Sequence, residues 1–147
     1  MEKPRIYLIR HGRESYDQEL RITVQRDPLI LTANKIKTLE AGSSCGGVYT
    51  SPCERAKISA DIIAEGILPI ISEVKIFEEL SDDHETIRNP VMDILSELRE
   101  SEADFGIVVS HSPSLEDYTR FRLDNAQAVI RFEDGRISKL EKISSLA

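Results

Sequence analysis

Four short, mostly apolar runs alternate along the chain with segments in which apolar residues recur at helical spacing. The runs are residues 5–10, 48–50, 74–77 and 106–110. Such an alternation is typical of an α/β domain whose sheet is mostly parallel. The fourth run is β-branched and apolar on both faces, which predicts a strand at the centre of the sheet.

Helix signals lie between these strands. The segment Ser51-Pro52-Cys53-Glu54 has the composition of a capping box and predicts a helix over about 52–65. Asn89-Pro90 opens another helix, in which one apolar stripe is formed by Val91, Ile94, Leu95 and Leu98.

Two shorter helices and a hairpin complete the pattern. Thr32 is expected to cap a helix near 33–41, and Ser112-Pro113 to begin one after the fourth strand. Residues 126–133 and 136–143 flank Asp134-Gly135, a pair that tolerates the positive φ angles of a tight turn. The sheet should therefore end in an antiparallel pair.

No internal repeat, low-complexity tract or linker divides residues 1–147. The sequence therefore predicts a single domain with a three-layer α/β/α fold. Its sheet should be mostly parallel, with the antiparallel hairpin at the C-terminal end.

Composition narrows the classes of partner. With 40% hydrophobic and 31% charged residues, the chain has the make-up of a soluble globular protein. The net charge of −7 disfavours nonspecific binding to nucleic acid or anionic lipid. There is no apolar signal segment at the start and no run of the ~18 residues that a membrane span needs. We expect a cytoplasmic protein without nucleic-acid or membrane partners.

Polar clusters follow three of the predicted strands. Arg10-His11-Gly12 follows the first, residues 51–55 follow the second, and His111-Ser112 follows the fourth. Ligands bind at the carboxyl edge of an open α/β sheet, so two imidazoles and two guanidinium groups are expected to meet there. Helix N-termini at this edge would add N–H donors for a phosphate.

These residue types suit phosphoryl transfer. Guanidinium forks at Arg10 and Arg55 can hold two edges of a phosphoryl group. A neutral imidazole at His11 can attack the phosphorus and carry the group covalently. His111, if protonated, can stabilise charge on the transferring oxygens. Gly12 is expected to give the substrate close access to the backbone.

A leaving group that departs as an alkoxide also needs a proton donor. The acidic segment 79–85 follows the third predicted strand at the same edge, and Asp82 is the first choice. Asp83 and Glu79 remain alternatives, because crowded carboxylates can share a proton. A solvated acidic loop, which includes a solvated His84, is the competing interpretation.

Three segments resemble the signature segments of the histidine phosphatase superfamily, in its phosphoglycerate-mutase-like branch. They are Ile-Tyr-Leu-Ile-Arg-His-Gly at 6–12, Tyr-Thr-Ser-Pro-Cys-Glu-Arg-Ala at 49–56 and Val-Ser-His-Ser-Pro-Ser-Leu at 109–115. Residues 26–32 also resemble that branch's Arg-x-Leu-Thr stretch, with extra residues. The resemblance covers nearly the whole chain.

The resemblance implies a set of roles. His11 would be phosphorylated, and Arg10, Arg55 and His111 would bind the phosphoryl group. No metal or other cofactor would be required. Leu80-Ser81-Asp82 resembles the branch's Leu-x-Glu, whose carboxylate is the usual proton donor, but the aspartate has a shorter reach.

The chain departs from that branch elsewhere. Arg13-Glu14 replaces an acidic or amide residue followed by a small hydroxyl residue, and Asn34 stands where glycine is common. Arg13 can bind a second anionic group of the substrate or be a surface charge. The segment before Asn89 is shorter than in the mutases, as in the short phosphohistidine phosphatases. An uncovered pocket would admit a protein side chain or a bulky phosphoester.

The leading hypothesis is a metal-independent phosphatase that acts through phospho-His11 on a phosphorylated small molecule or a phosphohistidine protein. A mutase-like phosphotransferase and a phosphate-binding module with impaired turnover are the alternatives. A metal site formed by the three histidines is opposed by the adjacent arginines. Cysteine-based phosphatase chemistry is disfavoured because Cys-x5-Arg fails: Ser51 and Ser59 follow Cys45 and Cys53 at that spacing.

Overall fold

The sheet at the centre of the molecule is built from six strands. The computed structural model describes residues 3–81 and 87–146. In chain order, the strands of the described residues are β1 (Arg5–Arg10), β2 (Glu14–Tyr16), β3 (Ile22–Val24), β4 (Cys45–Thr50), β5 (Val74–Ile76), β6 (Phe105–Ser110), β7 (Ala128–Arg131) and β8 (Ile137–Lys139). Strands β2 and β3 form a separate two-stranded sheet. The helices are α1 (Arg26–Leu39), α2 (Glu54–Gly66), α3 (Arg88–Glu100) and α4 (Ser112–Thr119).

The order across the main sheet is β5-β4-β6-β1-β7-β8. Strands β5, β4, β6 and β1 run parallel, and β7 and β8 add the antiparallel hairpin. The carboxyl ends of β4, β6 and β1 therefore lie side by side at one edge. No helix in the described part of the chain is long and apolar enough to cross a membrane.

Both faces of the sheet are buried, which is why its central strands are apolar throughout. In β1, Tyr7 and Ile9 belong to a core with α1 and α2, whereas Ile6 and Leu8 belong to a core with α3 and α4. The alternation follows the two-residue period of a strand. The predicted three-layer α/β/α fold, with its parallel strands and terminal hairpin, is confirmed.

Strand β4 begins at Cys45, three residues before the predicted start at Val48. This part of the strand contains two glycines, and it was not predicted because glycine has a low strand propensity. Gly46 is needed where Leu98 of α3 packs against the backbone, since an added Cβ would overlap that side chain. Close packing of α3 therefore explains the glycine in the part of β4 that was not predicted.

The predicted start of α1 is wrong. Thr32 does not cap a helix but lies inside α1, which begins at Arg26. Its hydroxyl donates a hydrogen bond to the carbonyl oxygen of Ala126, 2.6 Å away. This long-range contact, to a loop 94 residues further along the chain, is not visible in the local pattern.

The predicted capping box of α2 is also wrong. The helix begins at Glu54 after Cys53, and no side chain caps it. The hydroxyl of Ser51 instead contacts the ring of His111. The short hairpin formed by β2 and β3 was not predicted, since each strand has only three residues.

A buried ion pair joins the start of β1 to the end of α1. Arg5 donates through Nε to Glu40 Oε2 at 2.7 Å and through Nη2 to Oε1 at 2.6 Å. The Tyr7 hydroxyl also donates to Oε2, at 2.6 Å. Glu40 is fully buried and Arg5 is only 2% exposed. Burial, together with the nearby Glu40 carboxylate, raises the pKa of Tyr7, so its hydroxyl remains the donor.

We expect Glu40→Ala to lower the free energy of unfolding by about 3–5 kcal/mol, because it leaves a buried guanidinium without its carboxylate. Urea denaturation measures the change. Glu65→Ala is the matched control: it breaks an exposed pair with Arg26 and should cost less than about 1 kcal/mol. Equal costs for the two variants would contradict this account of the buried pair.

Candidate active site

A cleft of about 580 Å³ lies at the carboxyl edge of the parallel strands. It is lined by Arg10, His11, Arg13, Glu14, Arg55, His111, Ser112, Pro113 and Asn125. His11 follows β1, His111 follows β6, and Arg55 lies in the helix that follows β4. The structure thus brings five of the residues singled out in the sequence into one cleft: Arg10, His11, Arg13, Arg55 and His111.

The ring of His11 is held by its own loop. Nδ1 lies 2.9 Å from the carbonyl oxygen of Gly12. A carbonyl can only accept, so the proton of a neutral His11 ring is on Nδ1 and the lone pair is on Nε2. That lone pair is the one required for attack on an electrophile in the cleft.

The environment keeps His11 neutral. Burial lowers its pKa, and the cationic Arg55 and Arg10 lower it further. The Gly12 carbonyl and the carboxylate of Glu14 act in the opposite direction without reversing the shift. The residue is 8% exposed and lines the cleft. Since only the unprotonated ring is nucleophilic, this shift favours nucleophilic attack.

Arg55 lies over the nucleophilic nitrogen. Its Nε–H donates to Nε2 of His11 at 3.1 Å. Ser59, one turn further along α2, donates to the carbonyl oxygen of Arg55 at 2.7 Å and accepts the N–H of Gly12 at 2.9 Å. This serine, which the sequence did not single out, fastens α2 to the loop that carries His11.

Arg10 is held from the other side of the cleft. Its Nη1 donates to the carbonyl oxygen of Leu123 at 2.9 Å. Its Nε is buried and has no hydrogen-bond acceptor among the residues that the structure describes. A buried cationic donor without an acceptor is costly, and an anionic ligand would reduce that cost.

His111 is the second imidazole of the cleft. The centres of the His11 and His111 rings are 5.3 Å apart, and the rings are steeply inclined to one another. Nε2 of His111 lies 2.8 Å from the hydroxyl oxygen of Ser51, which also accepts the N–H of Cys53 at 3.2 Å. Only 2% of His111 is exposed, so its ring is fixed by burial and by this contact.

The expected role of Gly12 in substrate access stays a prediction, and the structure shows a packing role for this glycine. Its N–H is used by Ser59, and it is not among the residues that line the cleft. An added Cβ would lie 2.9 Å from Leu29 Cδ1 and 3.3 Å from the carbonyl oxygen of Gln25. Glycine is therefore required here by packing against α1, and its carbonyl orients His11.

Two further residues line the cleft whose roles the sequence did not predict. Asn125 donates through Nδ2 to the carbonyl oxygen of His11 at 3.2 Å. Because β7 runs antiparallel to β1, the loop before β7 lies beside the end of β1, and this topology could have identified Asn125. Glu14 is the one carboxylate among the described residues of the cleft.

Of the three predicted proton donors, Glu79 lies within the described residues. Asp82, the first choice, and Asp83 lie outside the described residues. Glu79 lies in a 3-10 turn after β5, is exposed, and is not among the described residues that line the cleft. Glu79 is therefore not supported as the donor.

The described residues hold no group of three histidine, cysteine or acidic side chains that could bind a metal ion. The two cysteines of the chain are not paired with each other. Burial raises the pKa of the Cys45 thiol to about 11, so this thiol remains protonated near neutral pH.

Comparison with known proteins identifies the fold. No protein-family model matches the chain, and no curated protein sequence matches it. Among solved structures, the protein histidine phosphatase SixA, complexed with tungstate, is similar with a TM-score of 0.66 and 19% identity, over 92% of this chain and 94% of that one. A phosphoglycerate mutase from Bacillus anthracis has a TM-score of 0.62 and 12% identity, over 92% and 90%.

An alpha-ribazole phosphatase from Shigella flexneri is also similar, with a TM-score of 0.53 and 19% identity, over 86% of this chain and 89% of that one. These structures confirm, at the level of the fold, the resemblance found in the sequence. The chain has the α/β fold of histidine phosphatases and phosphoglycerate mutases. At such identities the similarity establishes the fold alone.

We expect the pKa of His11, measured by NMR titration of the ring resonances, to lie below the usual 6.5. Arg55→Met should move this pKa upward, because it removes a cation next to Nε2. Arg26→Met, which changes a cation outside the cleft, should leave it unchanged. A His11 pKa above 6.5, or one that falls in Arg55→Met, would contradict the electrostatic account.

Proposed function

We propose that this chain is a phosphatase of the histidine phosphatase superfamily that acts through a phosphohistidine on His11. The observation that carries the proposal is the state of that ring. Its Nδ1 is held by the Gly12 carbonyl, and its Nε2 lone pair lies among the cationic groups of Arg10 and Arg55. A neutral nucleophile among cations suits attack on an anionic phosphorus centre.

The reaction proceeds in two displacements. In the first, the Nε2 lone pair of His11 forms a bond to phosphorus while the bond to the leaving group breaks. The leaving group takes that electron pair together with a proton from the carboxylic acid of Asp82, the donor proposed below, and solvent later returns a proton to Asp82. In the second, a water oxygen attacks the phosphorus, and the P–N electron pair returns to Nε2. Water loses one proton to solvent, inorganic phosphate is released, and neutral His11 is restored.

The cations bind and stabilise the transferring group. When a phosphoryl group enters, Arg55 exchanges its contact with Nε2 for contacts with phosphoryl oxygens, which frees the lone pair for attack. Arg10 is held at Leu123 and offers its remaining donors to the same group. His111 adds a donor fixed by Ser51. These groups supply the positive charge that phosphoryl transfer requires, so no step needs a metal ion.

Hydrolysis is favoured over transfer to a bound acceptor because the described residues leave the cleft open to solvent. Arg13 and Pro113 line it and are both exposed, so water can reach the phosphorylated ring. The structurally similar SixA is complexed with tungstate, a tetrahedral oxyanion with the charge and shape of phosphate. The proposed substrates are phosphomonoesters and phosphohistidine, and Arg13 is proposed to contact a second anionic group. The cytoplasmic location stays a prediction.

Incubation with a 32P-labelled phosphate donor should label the protein, and His11→Ala should abolish that label because no other residue is proposed to carry it. His84→Ala is the control, since the proposal gives the third histidine no role; its label should persist. Retained labelling in His11→Ala would remove His11 from the role of nucleophile.

The fate of the label separates the candidate reactions. The proposal predicts inorganic phosphate as the labelled product, with or without an added sugar-phosphate acceptor. Label that appears in the acceptor would identify a mutase-like transferase instead. Binding of phosphate without labelling or turnover would identify a phosphate-binding module.

We propose Asp82 as the proton donor for poor leaving groups. Asp82→Asn should lower kcat/KM for an alkyl phosphate by about 100-fold or more, while an activated aryl phosphate, whose leaving group needs little protonation, should change only a few-fold. Glu14→Gln is the matched comparison, because Glu14 is the carboxylate that the described cleft contains. If only Glu14→Gln shows the alkyl-specific loss, the assignment to Asp82 is wrong.

A further inference from the structure

A second hollow adjoins the catalytic cleft. It has a volume of about 440 Å³ and lies between α1, the loop before β7 and the end of β8. We call it the α1–β8 groove. Its apolar wall includes Pro28, Leu31 and Leu123, and Asn125 lines both this groove and the cleft. The groove and the cleft are therefore neighbours at Asn125, which bonds the carbonyl oxygen of His11.

The groove is held in a fixed position relative to the nucleophile. Asn125 bonds the carbonyl oxygen of His11, and the N–H of Ala126 contacts the carbonyl oxygens of Arg10 and His11 at 3.0 and 3.2 Å. On the other side, Thr32 of α1 bonds the carbonyl oxygen of Ala126. These contacts tie both walls of the groove to the loop that carries His11.

The groove combines apolar surface with positive charge. Leu31 is 70% exposed, although it lies on a helix that packs against the sheet. Lys35 and Lys139 also line the groove, and neither has an ion-pair partner among the residues that the structure describes. Glu141 offsets one of these charges. In a chain of net charge −7, this is a local cationic site beside apolar surface.

We infer that the α1–β8 groove docks a segment of a phosphorylated protein next to its phosphorylated residue. The inference rests on the proposed function and names its substrate class. The docked segment presents an apolar side chain to Leu31 and carboxylates to Lys35 and Lys139. A protein segment is favoured because the exposed side chain of Leu31 lines the groove together with two lysines, which complements an apolar residue flanked by carboxylates.

The test compares three probes on the full chain. Two are phosphohistidine peptides of equal length, one with leucine and glutamate around the phosphohistidine and the other with lysine in place of each glutamate. The third is phosphoramidate, which carries the P–N bond but is too small to reach the groove. The wild-type protein should hydrolyse the acidic peptide with a kcat/KM about tenfold above that for the basic peptide.

Two variants address the two features of the groove. Leu31→Gln and the double variant Lys35→Gln/Lys139→Gln should each lower kcat/KM for the acidic peptide about tenfold and leave phosphoramidate hydrolysis unchanged. Ile71→Gln is the apolar control, since Ile71 is 82% exposed and lies near the start of β4. Lys3→Gln/Lys37→Gln is the charge control, because neither lysine is among the described residues that line the groove or the cleft. Both control variants should have the wild-type kcat/KM for the acidic peptide and for phosphoramidate.

The outcomes separate the two levels of the proposal. If wild-type protein hydrolyses phosphoramidate but does not prefer the acidic peptide, or if the groove variants lower all three probes equally, docking in the groove is wrong and the phosphatase proposal stands. If the wild type hydrolyses none of the probes while phosphate still binds, the proposed function itself fails and the inference fails with it.

Discussion

The hydrogen bond between His11 Nδ1 and the carbonyl oxygen of Gly12 is the contact on which the proposed chemistry of this protein depends. It places the proton on one nitrogen and leaves the lone pair on the other, beside Arg55. Burial and the neighbouring guanidinium groups lower the pKa of the ring and keep it unprotonated. A carbonyl is well suited to this task, because it orients the ring without adding a full negative charge beside an anionic substrate.

The fold supplies the other members of the site through three neighbouring parallel strands. Strands β4, β6 and β1 are adjacent, so Arg55, His111 and His11 reach one edge from distant parts of the chain. The hydrogen bonds of Ser51 and Ser59 then fix the ring of His111 and the backbone of Arg55. The Arg10 guanidinium and the His111 ring are thus held in place before any ligand arrives, which favours electrostatic stabilisation of a bound phosphoryl group.

The sequence predicted the features that depend on the order of the strands and on the chemical type of the residues that follow them. The apolar runs located the parallel strands, and polar residues that follow three of them, β1, β4 and β6, line one cleft. Contacts between distant segments were not predictable. Thr32 and Ser51 are residue types that commonly cap helices, yet their hydroxyls form hydrogen bonds with Ala126 and His111. Gly12 could be expected near substrate, but its lack of a side chain serves packing against Leu29. A local sequence pattern indicates only the propensity of a residue, whereas the roles of these residues are determined by contacts with distant parts of the chain.

The most direct test of the central claim is the position of the phosphoryl group on the trapped protein. Phosphorylated protein would be quenched in alkali, and the linkage determined by 31P–15N NMR with authentic phosphohistidine isomers as standards. The account predicts phosphorus on Nε2 of His11, because Nδ1 is bound to the Gly12 carbonyl. Phosphorus on Nδ1, or on a residue other than His11, would contradict it.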